Sequence, residues 1–267
     1  MRRFIGANNA DRLWALVIVL AVWKALTLFY PPLVVPTISG VARQFAGIVT
    51  TAGGWSAVFA TSVRLLAGLL LGVGAGAAVG AAMGWSPRLR GVCRPILGLM
   101  QSVPPISWLV LALIWFGFNG RPSVFIVAVS ALPTMVISIM EGVVNVDAKL
   151  LEMGRAYRFG RRTMLRRIYV PSVLPHFRSG LRIAVGTGAK AVVMGEVLTT
   201  ASGIGGAITD ARMNIDPEGV TAWTLAMVLL YFLFDKLASL AVSGPARGRR
   251  HAERAQPDEK LRRPEGA

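Results

Sequence analysis

The sequence predicts an all-α, polytopic membrane protein with six transmembrane helices. Hydrophobic residues make up 54% of the 267 and charged residues only 16%, where a soluble domain carries about 25% charged residues. The apolar residues run together in long blocks separated by short basic stretches, and the mean hydropathy is +0.57. Transmembrane barrels would show alternating segments of about ten residues, so strands do not fit. With one cysteine (Cys93) and two histidines (His176, His251), neither a disulfide scaffold nor a metal site is expected. The 29 Lys and Arg against 13 Asp and Glu give a net charge of +16. The arginines sit between apolar spans rather than on one polar face, so no nucleic-acid partner is expected.

A helix crossing the hydrocarbon core needs about 20 residues. In chain order the candidate spans are Leu13–Tyr30, Val58–Gly84, Val92–Phe116, Pro122–Met140, Gly180–Ala201 and Ala222–Val242. The first resembles a signal peptide in having Arg2 and Arg3 ahead of it. Its apolar stretch runs about 18 residues, beyond the usual 7–15, and no small-residue cleavage site follows, so a retained helix is predicted. The segment from Pro36 to Trp55 has mixed polarity and predicts a short amphipathic helix on the outer interface. In the third span Pro95 opens the helix and Pro104-Pro105 interrupt it, freeing carbonyls that neighbouring groups must cover. Three parts follow: residues 1–57 (N-terminal segment, first helix and interfacial segment), a core of five spans over 58–243, and a basic, disordered tail at 244–267 held near anionic lipid.

Orientation follows from the basic residues. They cluster at the N-terminus, between the second and third spans (Arg88, Arg90, Arg94), in the loop after the fourth span, and at the C-terminal end. Only Arg43, Arg121 and Arg212 fall on the other side, while Lys24, Arg64 and Lys190 lie within spans. Both termini are therefore expected in the cytoplasm.

Gly68, Gly72, Gly76, Gly80 and Gly84 recur every fourth residue along the second span. They form a groove on one helix face where another backbone can approach, in this chain or in a second copy. A dinucleotide fingerprint fails because Val79 stands where a third glycine is needed, and no phosphate loop occurs anywhere. Arg64 and Glu196 each lie roughly 8–9 Å below the outer surface at 1.5 Å rise per residue, so an ion pair is possible. The alternative is Arg64 snorkelling to the headgroups, as expected for Lys24. Lys190 sits near the middle of the fifth span and calls for either a structural partner or a path for anions. Asp235 is expected to pair with Lys236 or other inner basic groups.

The inner loop over 141–179 is far longer than a helix–helix turn needs. Leu151, Ala156 and Phe159, then Met164, Leu165 and Ile168, fit two short amphipathic helices with basic outer faces. Pro171 and Pro175 are expected to end the second and turn the chain back into the membrane. On its own chemistry the loop fits either a docking surface or a helix on anionic lipid.

This loop resembles the EAA loop of binding-protein-dependent ABC importer permeases, a pattern of Glu-Ala-Ala, a glycine six residues after the Glu, and then Ile-x-Leu-Pro. Glu152 matches the Glu, with Met153 and Gly154 at the two small positions, followed by Arg155 and Ala156. Ile168 and Pro171 match the end of the pattern, with Val170 for Leu. Arg158 occupies the glycine position, and Gly160 is expected to supply the turn instead. Further features of the nitrate, sulfonate and taurine branch are Ser62-Val63-Arg64, Pro104-Pro105, Trp115-Phe116-Gly117, Pro133, Gly142, Gly180-Leu181-Arg182, Gly195-Glu196 and Gly203-Ile204-Gly205.

The resemblance implies a permease subunit of an ATP-driven importer in the bacterial cytoplasmic (inner) membrane, with no catalysis or cofactor of its own. ATP and Mg would be bound by a separate ATPase, into which the loop inserts as a coupling helix. A second permease subunit, most simply an identical copy, and a periplasmic or lipid-anchored solute-binding protein would complete the assembly. The implied substrate is a small anion such as an aliphatic sulfonate, taurine or nitrate; a neutral or cationic vitamin precursor is the alternative. A secondary transporter is the more distant alternative: it would commonly have two homologous halves, a repeat the sequence does not show, and it would leave the long basic loop unexplained.

Overall fold

A computed structural model of the chain describes residues 9–199 and 202–241. The expectations for Arg2, Arg3, the end of the fifth span at 200–201 and the basic tail lie outside the described residues. All described regular structure is helical: α1 Asn9–Phe29, α2 Ile38–Thr50, α3 Ala52–Trp85, α4 Pro87–Ser102, α5 Pro105–Phe116, α6 Arg121–Val144, α7 Ala148–Ala156, α8 Arg161–Met164, α9 Val170–Thr199, α10 Gly203–Met213 and α11 Pro217–Ala241. A single wide π-turn over Leu165–Tyr169 joins α8 to α9.

The helices outrun the apolar blocks because backbone hydrogen bonding continues beyond the hydrocarbon wherever a cap permits. Thr51 caps α3 by accepting from Gly54 N, so the helix starts at Ala52, six residues before the predicted start. Among the described residues, α3, α6 and α11 are long and apolar enough to cross a membrane. Counting the bent pairs α4–α5 and α8/α9–α10 as one span each gives up to five, while the apolar stretch of α1, Leu13–Phe29, is shorter.

Helix α6 is the centre of the bundle, packed between α3 and α9. The glycine stripe of α3 faces it. A Cβ built at Gly68, Gly72, Gly76, Gly80 or Gly84 would come within 2.5–2.7 Å of an α6 atom, and at Gly72 and Gly80 the nearest is a backbone carbonyl oxygen. Close approach of two backbones replaces the hydrophobic driving force that lipid cannot supply. The layer between the helices holds Leu65, Leu69, Val127, Ala131, Met135, Ala184 and Val192.

The third predicted span is two helices bent by 92°. Ser86 caps α4 by accepting from Leu89 N, and Pro95 lies inside the helix rather than opening it. The break falls at Val103-Pro104, both extended (ψ 125° and 139°). The residue before a proline is pushed out of the α region, and two successive residues without N–H cannot continue the ladder. Arg90 therefore stands on a helix, where it donates to Met83 O (3.2 Å) and Gly84 O (2.9 Å) at the end of α3. The predicted amphipathic segment is α2, which buries Val41 and Ile48 near Ala222 of α11. Thr37 also donates to Glu218 (2.5 Å) and Gln44 to Asp216 (3.1 Å).

The packing separates the glycines of α3 by consequence. Gly76→Leu should lower the thermal unfolding midpoint by a destabilisation of about 1–3 kcal/mol. Gly74→Ala, whose Cβ meets nothing within 4 Å, should stabilise by up to about 1 kcal/mol from helix propensity. Equal midpoints for the two variants would contradict the α3–α6 contact.

Candidate functional site

Two groups of residues stand out, one at the turn between α6 and α9 and one within the bundle. At the turn, Asp147 accepts from Lys149 N (2.9 Å) and starts α7. Its end is a Schellman motif: Phe159 N donates to Gly154 O and Arg158 N to Arg155 O, each at 2.9 Å. Such a cap needs a left-handed residue, normally glycine, and here Arg158 takes that role with φ 51°. Gly160, expected to supply the turn, has an ordinary φ of −63°. The left-handed position therefore coincides with the glycine position of the pattern, and an arginine fills it under strain.

Gly154 is buried, and a Cβ there would meet Met164 Sδ and Ile168 Cδ1. This close contact seats α7 on the start of the long helix, with Ile168 buried beneath it. Glu152, Met153, Arg155 and Ala156 remain exposed, as do Arg161, Arg162, Arg166 and Arg167. Pro171 and Pro175 do not stop the second short helix. The chain passes through the π-turn, where Val170 N bonds to Leu165 O, and continues as α9. The wider i→i−5 turn displaces the carbonyl that the ring of Pro171 would strike, whereas Pro175 is carried inside α9 itself. The segment between long helices is thus shorter than the predicted 141–179, running from Asn145 to Gly160.

Within the bundle, Arg64 and Glu196 meet at 2.6 Å, with side chains 16% and 0% exposed. Thr61 Oγ1 donates to the same carboxylate (2.8 and 3.0 Å to its two oxygens), and Gly205 N donates to Oε2 (2.9 Å). Arg64 also donates to Ser202 O (3.0 Å) and Ser202 Oγ (2.6 Å), while Thr61 Oγ1 accepts from Ile204 N (2.8 Å). Every hydrogen-bonding demand of the buried carboxylate is thus met by charge-assisted bonds. Gly203 has φ +89°, and a Cβ on it or on Gly205 would strike Glu196, so both glycines admit the carboxylate against the start of α10. The knot ties α3, α9 and α10 together at one end of the bundle.

Lys190 is exposed on α9 and has no acidic partner among the described residues. It borders a cavity of about 330 Å³ between the α4–α5 break, α6 and α9. Asp235 pairs with Arg182 through two contacts of 3.1 Å, one of the inner basic groups expected for it beside Lys236. Arg182 stands on α9 opposite Asp235 of α11, whereas neighbours in sequence point to different helix faces.

Residues 68–243 match the family described as "Binding-protein-dependent transport system inner membrane component", more than half of the chain. The chain belongs to this family. Relatives of the permease include a Bacillus subtilis (strain 168) protein named for aliphatic sulfonates transport, 26% identical over 84% of this chain and 82% of its own length. The taurine transport system permease protein of Escherichia coli (strain K12) is 28% identical over 68% of this chain and 66% of its own. Both lie in the branch that the sequence resembles. Among solved structures, a bacterial ABC transporter involved in the import of alginate superposes with TM-score 0.60 over 87% of this chain and 96% of that one, at 15% identity. The permease is accordingly a multi-pass inner-membrane subunit of an ABC importer.

Sequence reasoning placed Arg64, Glu196 and Lys190 but missed Thr61 and Ser202. Thr61 sits three residues before Arg64 and therefore on the same helix face, a signal that was available. Ser202 joins the knot only because α10 bends back by 53°.

Removing one partner of a buried pair is more damaging than removing both. Arg64→Ala should destabilise the permease by about 3–5 kcal/mol, and Arg64→Met with Glu196→Met should recover most of that loss. Thermal unfolding of the three proteins in one detergent checks the order. Arg158→Gly should raise the unfolding midpoint by relieving about 1 kcal/mol of left-handed strain; a lowered midpoint would remove the strain argument.

Proposed function

We propose that this permease forms the translocation path for a small anion, such as an aliphatic sulfonate, taurine or nitrate, and is driven through α7 by a separate ATPase subunit. The observation that carries the reading is the exposed α7 face. Glu152, Met153 and Arg155 point away from the bundle, while the buried Gly154–Ile168 contact beneath them fixes their position. An exposed acid flanked by an apolar side chain suits a cleft with a basic residue, and a rigid seat lets a push on α7 reach α9. Both termini and α7 would face the cytoplasm, following the distribution of basic residues.

In this reading ATP and Mg sit on the partner ATPase, and closure of two ATPase subunits moves two permease copies between inward-open and outward-open states. A solute-binding protein delivers the anion to the outer loops. Lys190, exposed beside a cavity within the bundle, lies on the path. The names of the sulfonate and taurine relatives support the choice of anion. Arg64 and Glu196 act as the structural pair that holds the outer end of the path.

Glu152→Lys reverses charge at a fully exposed position and should leave the unfolding midpoint unchanged. It should reduce both ATPase copurification and anion uptake by at least about tenfold, the scale of a lost charge-assisted contact. A variant that still copurifies with its ATPase and transports normally would refute the docking role.

A further inference from the structure

Two cavities flank α3 and take no part in the polar knot or in the α7 face. The first, about 370 Å³, opens between the ends of α3 and α6 and the start of α9. The second, about 660 Å³, lies between α3, α9 and α11. Phe177 lines both, and Ala81 of the first stands one turn from Ala77 of the second. The two therefore adjoin, and together they follow α3 from Trp85 back to Leu66. That run rises roughly 28 Å at 1.5 Å per residue. One leaflet is about half of the roughly 30 Å hydrocarbon core, so an acyl chain entering beside Trp85 ends inside the second cavity.

The entrance carries the residue types of a membrane interface. Trp85, the last residue of α3, meets Tyr169 edge to face with ring centroids 6.1 Å apart, and both line the first cavity. Trp and Tyr gather at headgroup level, where one end of the ring is apolar and the other wet. Leu165 lines the same cavity. Its N–H bonds to the carbonyls of Arg161 and Arg162, so both arginines stand one turn from the entrance, and Arg166 and Arg167 follow Leu165 directly. All four are exposed, and none forms an ion pair among the described residues. No described acidic residue lines either cavity.

Four cations beside an apolar slot call for a ligand with an anionic head and a long hydrocarbon tail. A free anion gains nothing from the slot, and an apolar helix leaves the arginines unpaired. An acyl chain passes from bilayer to slot without hydrophobic cost, because lipid is as apolar as the lining. The arginines therefore decide which lipid stays, through charge-assisted bonds to phosphate oxygens. We propose that this site holds one anionic phospholipid of the leaflet that α7 faces, its phosphate among Arg161, Arg162, Arg166 and Arg167 and one acyl chain in the slot behind Trp85 and Tyr169. It rests on the permease reading only for its side of the membrane. The lipid fills the gap between α9 and the ends of α3 and α6, beside the turn whose Ile168 seats α7.

The test uses the full chain with its partner ATPase in detergent, read by native mass spectrometry. Dioleoylphosphatidylglycerol should bind at one molecule per permease copy, with a midpoint at least about tenfold below that of dioleoylphosphatidylcholine. Arg162→Gln with Arg166→Gln should raise the phosphatidylglycerol midpoint by about tenfold or more and remove that preference. Ala81→Trp fills the slot without altering charge and should lose the bound lipid. A photoreactive p-benzoylphenylalanine in place of Leu165 should gain the mass of one phospholipid on illumination. Equal midpoints for the two lipids, an unchanged midpoint in the arginine variant, or retention by folded Ala81→Trp would overturn the proposal. So would a photoproduct with a second permease copy, or an arginine variant that keeps the lipid and loses the ATPase. The same spectra count bound ATPase: lipid absent with the ATPase present fails the lipid site alone, and lipid present with the ATPase absent fails the importer reading alone.

Discussion

The close approach of α3 and α6 is the contact from which the rest of the structure follows. Lipid is as apolar as the helices, so association depends on packing at short range and on internal polar contacts. Glycines at every fourth position let the α6 backbone sit where side chains would otherwise stand. With α3 held against one face of α6, an adjoining face takes α9, which also touches α3 and whose own Gly195 lies against Ser123 of α6. Arg64 on α3 and Glu196 on α9 are thereby brought to bonding distance at the same level of the bundle. A buried charge is tolerated only where such geometry is assured.

The long helix links the α7 turn to the polar knot. From Arg161 to Thr199 the chain is helical without a break, through the π-turn, a run of roughly 58 Å at 1.5 Å per residue. One end carries the contact with Gly154 that seats α7, and the other carries Lys190 and, under two turns further on, Glu196. A displacement applied at α7 therefore has a continuous path to both the cavity and the polar knot. The bent α4–α5 pair has no glycine groove to draw it against α6, and the cavity lies where its two halves diverge.

Much of this was legible from residue types. Apolar blocks read as six spans, where the described helices supply three, or up to five counting bent pairs; the glycine period identified a packing face, and depth admitted an Arg64–Glu196 pair beside a snorkelling Arg64. The departures have definite causes. Pro171 and Pro175 read as helix stops, but the π-turn at Leu165–Tyr169 replaces the i→i−4 ladder ahead of Pro171, and Pro175 is carried inside α9. Gly160 was expected to make the turn that Arg158 makes, since composition favours glycine while the cap geometry fixes the position. For Asp235 the sequence offered Lys236 or another inner basic group, and the fold chose Arg182 on another helix.

By itself, the sequence determined the helical class, the membrane setting and the family, since each depends on local composition and on motifs read in order. Which faces meet depended on the fold. The partner of the glycine stripe, the satisfaction of Glu196 by Thr61, Arg64 and Gly205, and the cavity that Trp108 and Lys190 both line all arise between segments far apart in the chain. Their reason is common: a hydrogen bond or a cavity is defined by distances of a few ångströms, and those distances exist only once the helices have packed.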